Sequence, residues 1–175
     1  ARVIIPTGIQ AALWRHLLPR HPDSEEAAFL FARHSRAAGE LLLTVFDWHA
    51  VPVEGFEYRS KYHIELTDET RVYVIKKAHD LQGCLIECHS HLGPWPAEFS
   101  SSDFSGFREF VPHVLWRLKE RPYGAIVVSR LHDFDGLVWL KQAEPPLQLA
   151  SLNIEGISKT ATGLSLLRKD DDYDQ

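Results

Sequence analysis

Residues 84–103 read Cys-Leu-Ile-Glu-Cys-His-Ser-His-Leu-Gly-Pro-Trp-Pro-Ala-Glu-Phe-Ser-Ser-Ser-Asp, and this stretch organises the fold. A short β-compatible run after Gly83 predicts a strand over residues 85–91. A loop rich in glycine and proline follows, and the serines before Asp103 predict the start of a helix. The sequence therefore predicts a strand, a loop and a helix in the middle of the chain.

His89 and His91 lie two residues apart on the predicted strand, so their side chains point to the same face. Their Cα atoms are then roughly 6.6 Å apart, which lets both imidazoles reach one metal ion. Asp103, on the following helix, is a candidate third ligand. Two imidazoles, one carboxylate and an open fourth position are typical of a catalytic zinc site, because structural zinc sites usually fill all four positions with protein ligands.

The His-x-His pair is a weak signal by itself. A chain with 10 histidines in 175 residues contains such a pair by chance about as often as not. Helix capping also explains a serine before a helix and an acid in its first turn. The spacing from Ser100 to Asp103 is therefore compatible with a metal ligand and with a plain helix cap.

Length and composition indicate one globular domain. The chain has 175 residues, of which 45% are hydrophobic, which is enough for a proper core. We expect the domain to span residues 1–168 and the acidic residues 169–175 to form a mobile tail. A net charge of −5 and a pI near 6.0 argue against a nucleic-acid partner, since phosphate binding needs clustered Lys and Arg.

The sequence also predicts a cytoplasmic protein without a membrane partner. No apolar run approaches the roughly 20 residues that cross a bilayer, and no signal peptide is visible. On one strand, the Cα atoms of Cys84 and Cys88 would lie roughly 13 Å apart, whereas a disulfide needs less than about 7 Å. We therefore expect both thiols to be reduced, with Cys88 in the core and facing away from His89.

The rest of the chain has the periodicities of an α/β protein. Three helices are predicted: one from the capping-box pattern Thr7-Gly-Ile-Gln10 to Pro19, one over residues 68–80, and one after the serines that Pro112 should break or kink. Further strands are predicted at residues 27–32, 40–49, 62–66, 125–129, 136–140 and 147–157, with a loop at 51–61. This order predicts an α/β sandwich with a curved, mixed but mostly antiparallel sheet flanked by helices.

These residues resemble the signature of the JAMM zinc metallopeptidases, also called MPN-plus or JAB, which combines an upstream Glu with His-x-His and Ser-x-x-Asp. Here the matching segments are His89-Ser-His91 and Ser100-Ser-Ser-Asp103. Eleven residues separate His91 from Asp103 where the family usually has ten, and Leu92 replaces a common Pro. One extra loop residue is easily accommodated. The resemblance covers roughly residues 10–140.

The resemblance implies a JAB/MPN-type fold, which is cytidine-deaminase-like, and a Zn²⁺ ion held by His89, His91 and Asp103. In the family this ion holds and activates a water for attack on an amide bond. The implied cofactor agrees with the zinc chemistry expected of two imidazoles and a carboxylate.

The resemblance also implies a catalytic Glu upstream. The family's Glu precedes one small residue by three positions and another by seven, with apolar residues between. Glu25 meets this pattern with Ala28 and Ala32, so we predict Glu25 as the general base, with Glu26 as the alternative. Without the resemblance, either acid would be interpreted as a solvated charge at the entry of a strand.

Three further positions have weaker assignments. The resemblance implies that a serine stabilises the oxyanion; the spacing favours Ser100, and Ser101 and Ser102 stay open. Trp95, in the Gly-Pro-Trp-Pro loop, is a candidate substrate contact, although a loop-packing role explains it equally well. Glu87, on the same face as the histidines, is either a partner of the metal ligands or a surface acid, and we favour the surface acid.

The function implied by the resemblance is a zinc-dependent isopeptidase or peptidase that cleaves after the C-terminal Gly of a ubiquitin-like protein. Deconjugation is the expected role, with precursor maturation as a second possible role. Residues 108–139 are most similar to bacterial members that occur beside ubiquitin-like proteins and their activating and conjugating enzymes, in pathways that include antiphage defence. The alternatives are a JAB-fold scaffold without catalysis and a RadC-type metal-dependent hydrolase of a non-protein substrate.

Overall fold

The computed structural model describes residues 1–171 of the chain. The strands in this range are β1 Arg2–Ile4, β2 Ala27–Ala37, β3 Glu40–Ala50, β4 Phe56–Arg59, β5 Ile64–Leu66, β6 Cys84–His91, β7 Tyr123–Ser129, β8 Phe134–Trp139, β9 Leu147–Gln148, β10 Ser151–Ile154 and β11 Ile157–Thr160. The helices are α1 Thr7–Leu17, α2 Asp68–Asp80, α3 Ser101–Arg117 and α4 Leu164–Asp171, and a short 3-10 turn, Val53–Gly55, precedes β4.

Nine strands form one sheet in the order β11-β10-β1-β3-β2-β6-β7-β8-β9, while β4 and β5 form a separate hairpin. The pairs β1–β10, β1–β3 and β6–β7 are parallel. The other five neighbouring pairs in the sheet are antiparallel. The sheet curls and is flanked by helices. The predicted α/β architecture with a curved, mixed and mostly antiparallel sheet is therefore confirmed.

The central strands bury both faces, since successive residues of a strand point to opposite sides. On β6, Leu85 packs with α2 and α3, whereas Ile86 packs with α1 on the other face. Full burial of one such side chain stabilises the fold by about 1.5–3 kcal/mol. The same alternation places His89 on the α2–α3 face and Cys88 in the α1 core, as predicted. Cys84 and Cys88 are both free and buried, also as predicted.

Several short strands differ from the predicted elements. β1 was not expected, and it lies between β3 and β10 through parallel pairing such as Val3 with Leu43 and with Leu152. The predicted loop at 51–61 contains β4, and the predicted strand at 147–157 is divided into β9, β10 and the start of β11. Strands of two to four residues show too few positions for an alternating pattern, so only their pairing partners define them.

Two predictions for the helices, the Thr7 cap of α1 and a break of α3 at Pro112, are wrong. Thr7 does not cap α1, because the helix already includes it: Pro6 occupies the N-cap position, and no side chain caps the helix. Pro112 does not interrupt α3, which runs through it. The buried face of α3, with Val111, Val114 and Leu115 against the sheet, stabilises the helix on both sides of the missing hydrogen bond.

The last helix, α4, was not predicted from the sequence. It extends to Asp171, so the first residues of the predicted acidic tail, 169–171, are helical. The remainder of that tail, residues 172–175, lies outside the described residues. Among the helices of residues 1–171, none combines the length and the apolar character of a membrane span.

Candidate metal centre

The end of β6 and the first turn of α3 bring His89, His91 and Asp103 together. The Nε2 atoms of the two histidines lie 3.2 Å apart. Nε2 of His89 is 3.3 Å from Oδ1 of Asp103, and Nε2 of His91 is 3.3 Å from Oδ2 of the same carboxylate. The three side chains predicted as ligands therefore converge on one point.

This spacing fits a tetrahedral metal ion. Ligand atoms at the usual zinc distances lie about 3.3–3.4 Å from one another, close to the separations found here. His89 is buried, whereas His91 and Asp103 are partly exposed, so one side of the group faces solvent. The group can hold a metal ion, and it is the only cluster of three or more His, Cys, Asp or Glu side chains of this kind among the described residues.

Pairing of β6 with its neighbours fixes the position of the histidines. His89 lies opposite Ala27 of β2 and Val127 of β7. The ring of Phe99, which is buried, lies 5.7 Å from the His89 ring. Because β6 is hydrogen-bonded on both sides, its side chains have little freedom to move away from the site.

The loop between β6 and α3 is held by hydrogen bonds to distant segments. The backbone N–H of Ala97 donates to Oδ1 of Asp133 at 3.1 Å, and Oγ1 of Thr162 donates to the carbonyl of Ala97 at 2.7 Å. The N–H of Phe99 donates to Oγ of Ser165 at 2.9 Å. These bonds fix the path of the loop, so that α3 begins beside the histidines.

Ser100 and Asp103 form a capping box at the start of α3. The N–H of Asp103 donates to Oγ of Ser100 at 3.1 Å, and the N–H of Ser100 donates to Oδ2 of Asp103 at 2.7 Å. The Ser100 hydroxyl also donates to Oδ2 at 2.8 Å. The helix-cap interpretation is therefore confirmed, and the same box orients Asp103 toward the histidines, as a metal ligand requires.

The charges of the group stabilise one another. Burial by itself would raise the pKa of Asp103, but the charges and hydrogen bonds of His89 and His91 hold that pKa well below its usual range. Burial would lower the pKa of His89, but the Asp103 carboxylate raises it to about 9. A metal ion binds the neutral imidazole, so binding at neutral pH releases a proton from His89.

Glu26 points away from this group. Its N–H donates to Oγ of Ser90 at 2.9 Å, and its carbonyl accepts from the N–H of Ser90 at 3.0 Å. Its carboxylate pairs with Nη1 of Arg59 at 2.5 Å and lies 3.9 Å from Nε2 of His16. Glu26 thus belongs to the α1 side of the sheet.

Glu25 lies on the side of the metal group. It is two residues before Ala27, whose backbone pairs with His89, so its side chain shares the face of that histidine. The residue is 4% exposed. Burial raises the pKa of Glu25 to about 7. The charge of His89 opposes this rise, and the charge of Asp103 adds to it. Of the two candidate acids, only Glu25 therefore lies on the side of the histidines and feels the charges of His89 and Asp103.

Glu87 differs from the surface acid that we favoured. Its side chain is only 21% exposed, and the buried Tyr123 hydroxyl donates to its Oε2 atom. Oε1 lies 4.0 Å from Nδ1 of His89, which is too far for a hydrogen bond. Burial has the largest effect on Glu87, and it raises the pKa of this carboxyl. Glu87 lines a cleft of about 380 Å³ that also borders His89 and Asp103.

The remaining predicted positions lie around the site. Trp95 is 72% exposed, and a Cβ placed on Gly93 would come within 2.9 Å of its ring, so the indole lies over the loop rather than in the interior. Its role as a substrate contact stays a prediction. Ser102 hydrogen-bonds to Nδ1 of His63 at 3.3 Å and joins α3 to the β4–β5 hairpin. No local motif pointed to His63, because it reaches the site only through the folding of that hairpin.

No protein-family model matches this chain, and no curated protein is similar enough in sequence to be a recognisable relative. Membership of the JAMM metallopeptidases is therefore a proposal. It depends on the motif in residues 84–103 and on the geometry of the metal group and Glu25.

Proposed function

We propose that this chain is a zinc-dependent metallopeptidase of the JAMM type, with a JAB/MPN fold, that cleaves after the C-terminal Gly of a ubiquitin-like protein. The observation that carries the proposal is the position of Glu25, which is buried on the same face as the group of His89, His91 and Asp103. With its pKa raised to about 7, this carboxyl is suited to accept a proton and to release it again near neutral pH.

The donor set supports zinc as the ion. Two imidazole nitrogens and one carboxylate oxygen are common zinc ligands, and three protein ligands leave one position for water or substrate. When bound, zinc lowers the pKa of a water ligand toward about 7 and polarises a substrate carbonyl.

Glu25 supplies the proton transfers of the proposed reaction. Its carboxylate accepts a proton from the attacking water and passes it to the leaving nitrogen as the C–N bond breaks. The products are a free C-terminal carboxylate on the ubiquitin-like protein and a free amine on its former partner. Burial of Glu25 limits exchange of this proton with bulk water.

Ser100 has a positioning role in the described geometry, because its hydroxyl proton is directed to Asp103. The proposed oxyanion-donor role requires this hydroxyl to turn toward the substrate. Such a donor is typically worth about 2.7–4 kcal/mol in the transition state. Trp95, exposed on the loop, is the proposed contact for the substrate tail.

The biological setting that we propose is a bacterial ubiquitin-like conjugation pathway of the antiphage type, in the cytoplasm. Its partners would be a ubiquitin-like protein, its conjugates, and the activating and conjugating enzymes of the same pathway. This part of the proposal depends on the resemblance of residues 108–139 to bacterial family members and not on the site geometry.

A zinc assay combined with a panel of ubiquitin-like fusions tests the proposal. The wild type is expected to bind about one zinc ion per chain and to cleave after the terminal Gly of at least one fusion or lysine conjugate. Glu25→Gln should keep the zinc and lose about 10²- to 10⁴-fold in cleavage rate. Glu26→Gln, the same change one residue away, should retain most of the activity.

Two other outcomes would select the alternative functions. A protein that binds no zinc and cleaves nothing would be a scaffold with this fold. A zinc-loaded protein that cleaves no peptide or isopeptide bond but hydrolyses another substrate would be a RadC-type hydrolase.

A further inference from the structure

The cleft beside the metal group is lined by apolar side chains and by several charged ones. His89, Asp103 and Glu87 all contribute to its lining. The aromatic rings of Phe29, Phe107 and other apolar side chains line it as well. Such walls fit the methylene stem of a long side chain, which gains free energy when it leaves water. We call this cleft the Glu87 pocket.

The charged groups around the Glu87 pocket are mainly acidic. Four carboxylates line it, those of Glu65, Glu87, Asp103 and Glu109, together with the basic groups of His63, Arg71 and His89. Asp103 is paired with His89, and Glu65 is paired with His63. Glu87 and Glu109 are therefore the lining carboxylates without a cationic partner closer than 4.0 Å among the described residues. Arg71 contacts the exposed Asp68 at 3.5 Å, and its charge also lowers the pKa of Glu87 against the larger raising effect of burial. The charge of the pocket is therefore complementary to a cation, and its apolar walls strengthen any ion pair formed inside it.

Glu87 has one carboxylate oxygen available to a ligand. Oε2 accepts a hydrogen bond from the hydroxyl of Tyr123, which is fully buried and so fixes the direction of the carboxylate. Oε1 accepts no hydrogen bond from the residues that the structure describes; the nearest ionic neighbour is Nδ1 of His89, at 4.0 Å. A preoriented carboxylate with a free oxygen is suited to a charge-assisted hydrogen bond.

We propose that the Glu87 pocket binds a lysine or arginine side chain of the substrate, at a position flanking the bond that is cleaved. The stem would lie against Phe29 and Phe107, and the cationic group would reach Oε1 of Glu87. Oε1 of Glu87 lies 4.0 Å from Nδ1 of His89, so a cationic group bound at Glu87 would lie beside the metal group. This assignment of the flanking residue depends on the proposed peptidase function, whereas the affinity of the pocket for a cation does not.

Binding of two matched small probes tests the pocket directly. The zinc-loaded full chain is titrated with n-propylguanidinium, the side-chain analogue of arginine, and with n-propylurea, which has nearly the same shape and no charge. Backbone amide shifts of residues 64–66 and 105–110 locate the binding. We expect the cation to bind about tenfold more tightly than the urea, as one charge-assisted hydrogen bond predicts.

Variants then assign the preference to one carboxylate. Glu87→Gln should bring the ratio of the two affinities close to one, while Glu69→Gln, on the exposed surface of α2, should leave it unchanged. Tyr123→Phe keeps the carboxylate and should keep a preference for the cation. Equal affinities in the wild type, or an unchanged ratio in Glu87→Gln, would overturn the proposal. The ratio of the two probe affinities in the wild type tests the proposal even where a variant does not fold.

The same probe separates this proposal from the peptidase function. With a cleavable fusion, n-propylguanidinium should inhibit competitively, and about tenfold more weakly in Glu87→Gln. Inhibition that is not competitive would show that the substrate does not use the pocket. A cation preference without cleavage of any fusion would uphold the pocket and reject the peptidase function. Cleavage of a fusion without any preference for the cation would uphold the peptidase function and reject the pocket.

Discussion

The hydroxyl of Ser100 donates to Oδ2 of Asp103, and the N–H of Asp103 donates back to the oxygen of that hydroxyl. One capping box thus starts α3 and orients the Asp103 carboxylate toward the two histidines. Helix caps are local structures that form wherever the motif occurs. A carboxylate placed inside a cap is therefore oriented by the backbone of the helix itself.

Ser100→Ala tests this relationship. Loss of the cap should lower the free energy of unfolding by about 1 kcal/mol, and loss of the hydroxyl that orients Asp103 should weaken zinc binding by about tenfold. Urea unfolding in a chelator and competition with a chromophoric chelator measure the two effects separately. Ser101→Ala, on the exposed first helical position, should change neither quantity. Equal zinc affinity in wild type and Ser100→Ala would mean that the cap does not orient the ligand.

Metal affinity should depend on pH through His89. The raised pKa of about 9 means that this imidazole is protonated in the metal-free protein at neutral pH. Each ion then displaces one proton, so the apparent affinity should rise about tenfold per pH unit between pH 6 and 8 and flatten above pH 9. Asp103 is ionised throughout and adds no slope, because its pKa lies well below the usual range. An affinity that does not change between pH 6 and 8 would contradict this assignment.

Glu25 should make the metal-free protein less stable as the pH rises. Its folded pKa of about 7 lies above its ordinary value of 4.5, so the folded state binds the proton more tightly than the unfolded state. The stabilisation by this proton is complete below about pH 4.5 and is lost as the pH rises to about 7. Glu25→Gln has no such proton. Its free energy of unfolding relative to that of the wild type should therefore increase by an amount on the order of 3 kcal/mol between pH 4.5 and 8.

Urea unfolding of the two proteins in a chelator, at several pH values, measures this difference. Glu26→Gln serves as the control, since Glu26 is paired with Arg59 on the other face of the sheet. A constant difference between wild type and Glu25→Gln across this range would show that Glu25 titrates normally.

Asp135 should be essential for stability, although it lies outside the site. Its fully buried carboxylate accepts from the N–H groups of Gly136 at 2.9 Å, Gly163 at 3.2 Å and Ser165 at 2.9 Å, and from Nε2 of Gln148 at 2.9 Å. Asp135→Ala leaves these donors without an acceptor and should cost about 3–5 kcal/mol.

The same substitution should also affect the metal group, because Ser165 accepts the hydrogen bond that holds Phe99 in the loop before α3. Thermal unfolding and zinc affinity are the measurements. Asp23→Ala, at an exposed position, is the matched control and should change neither. A variant as stable as wild type would show that water or other groups replace the carboxylate.

Much of the fold could be predicted because long elements show their period in the sequence. β3, β6, α2 and the start of α3 were predicted close to their observed bounds, since each presents enough residues to display a strand or helix pattern. The short strands β1 and β4 show no such pattern. α3 continues through Pro112 because its tertiary packing outweighs the local cost of the proline.

The sequence by itself determined which three side chains meet at the end of β6, because the information is local. A two-residue strand period aligns His89 with His91, and a helix-start motif places Asp103 in the first turn of α3. The resemblance favoured Glu25 over Glu26, but only the tertiary structure shows their surroundings: Glu25 lies on the side of the histidines, whereas Glu26 pairs with Arg59. The Glu87 pocket likewise exists only in three dimensions, because its walls come from segments that are far apart in the chain and meet only when the sheet and helices pack.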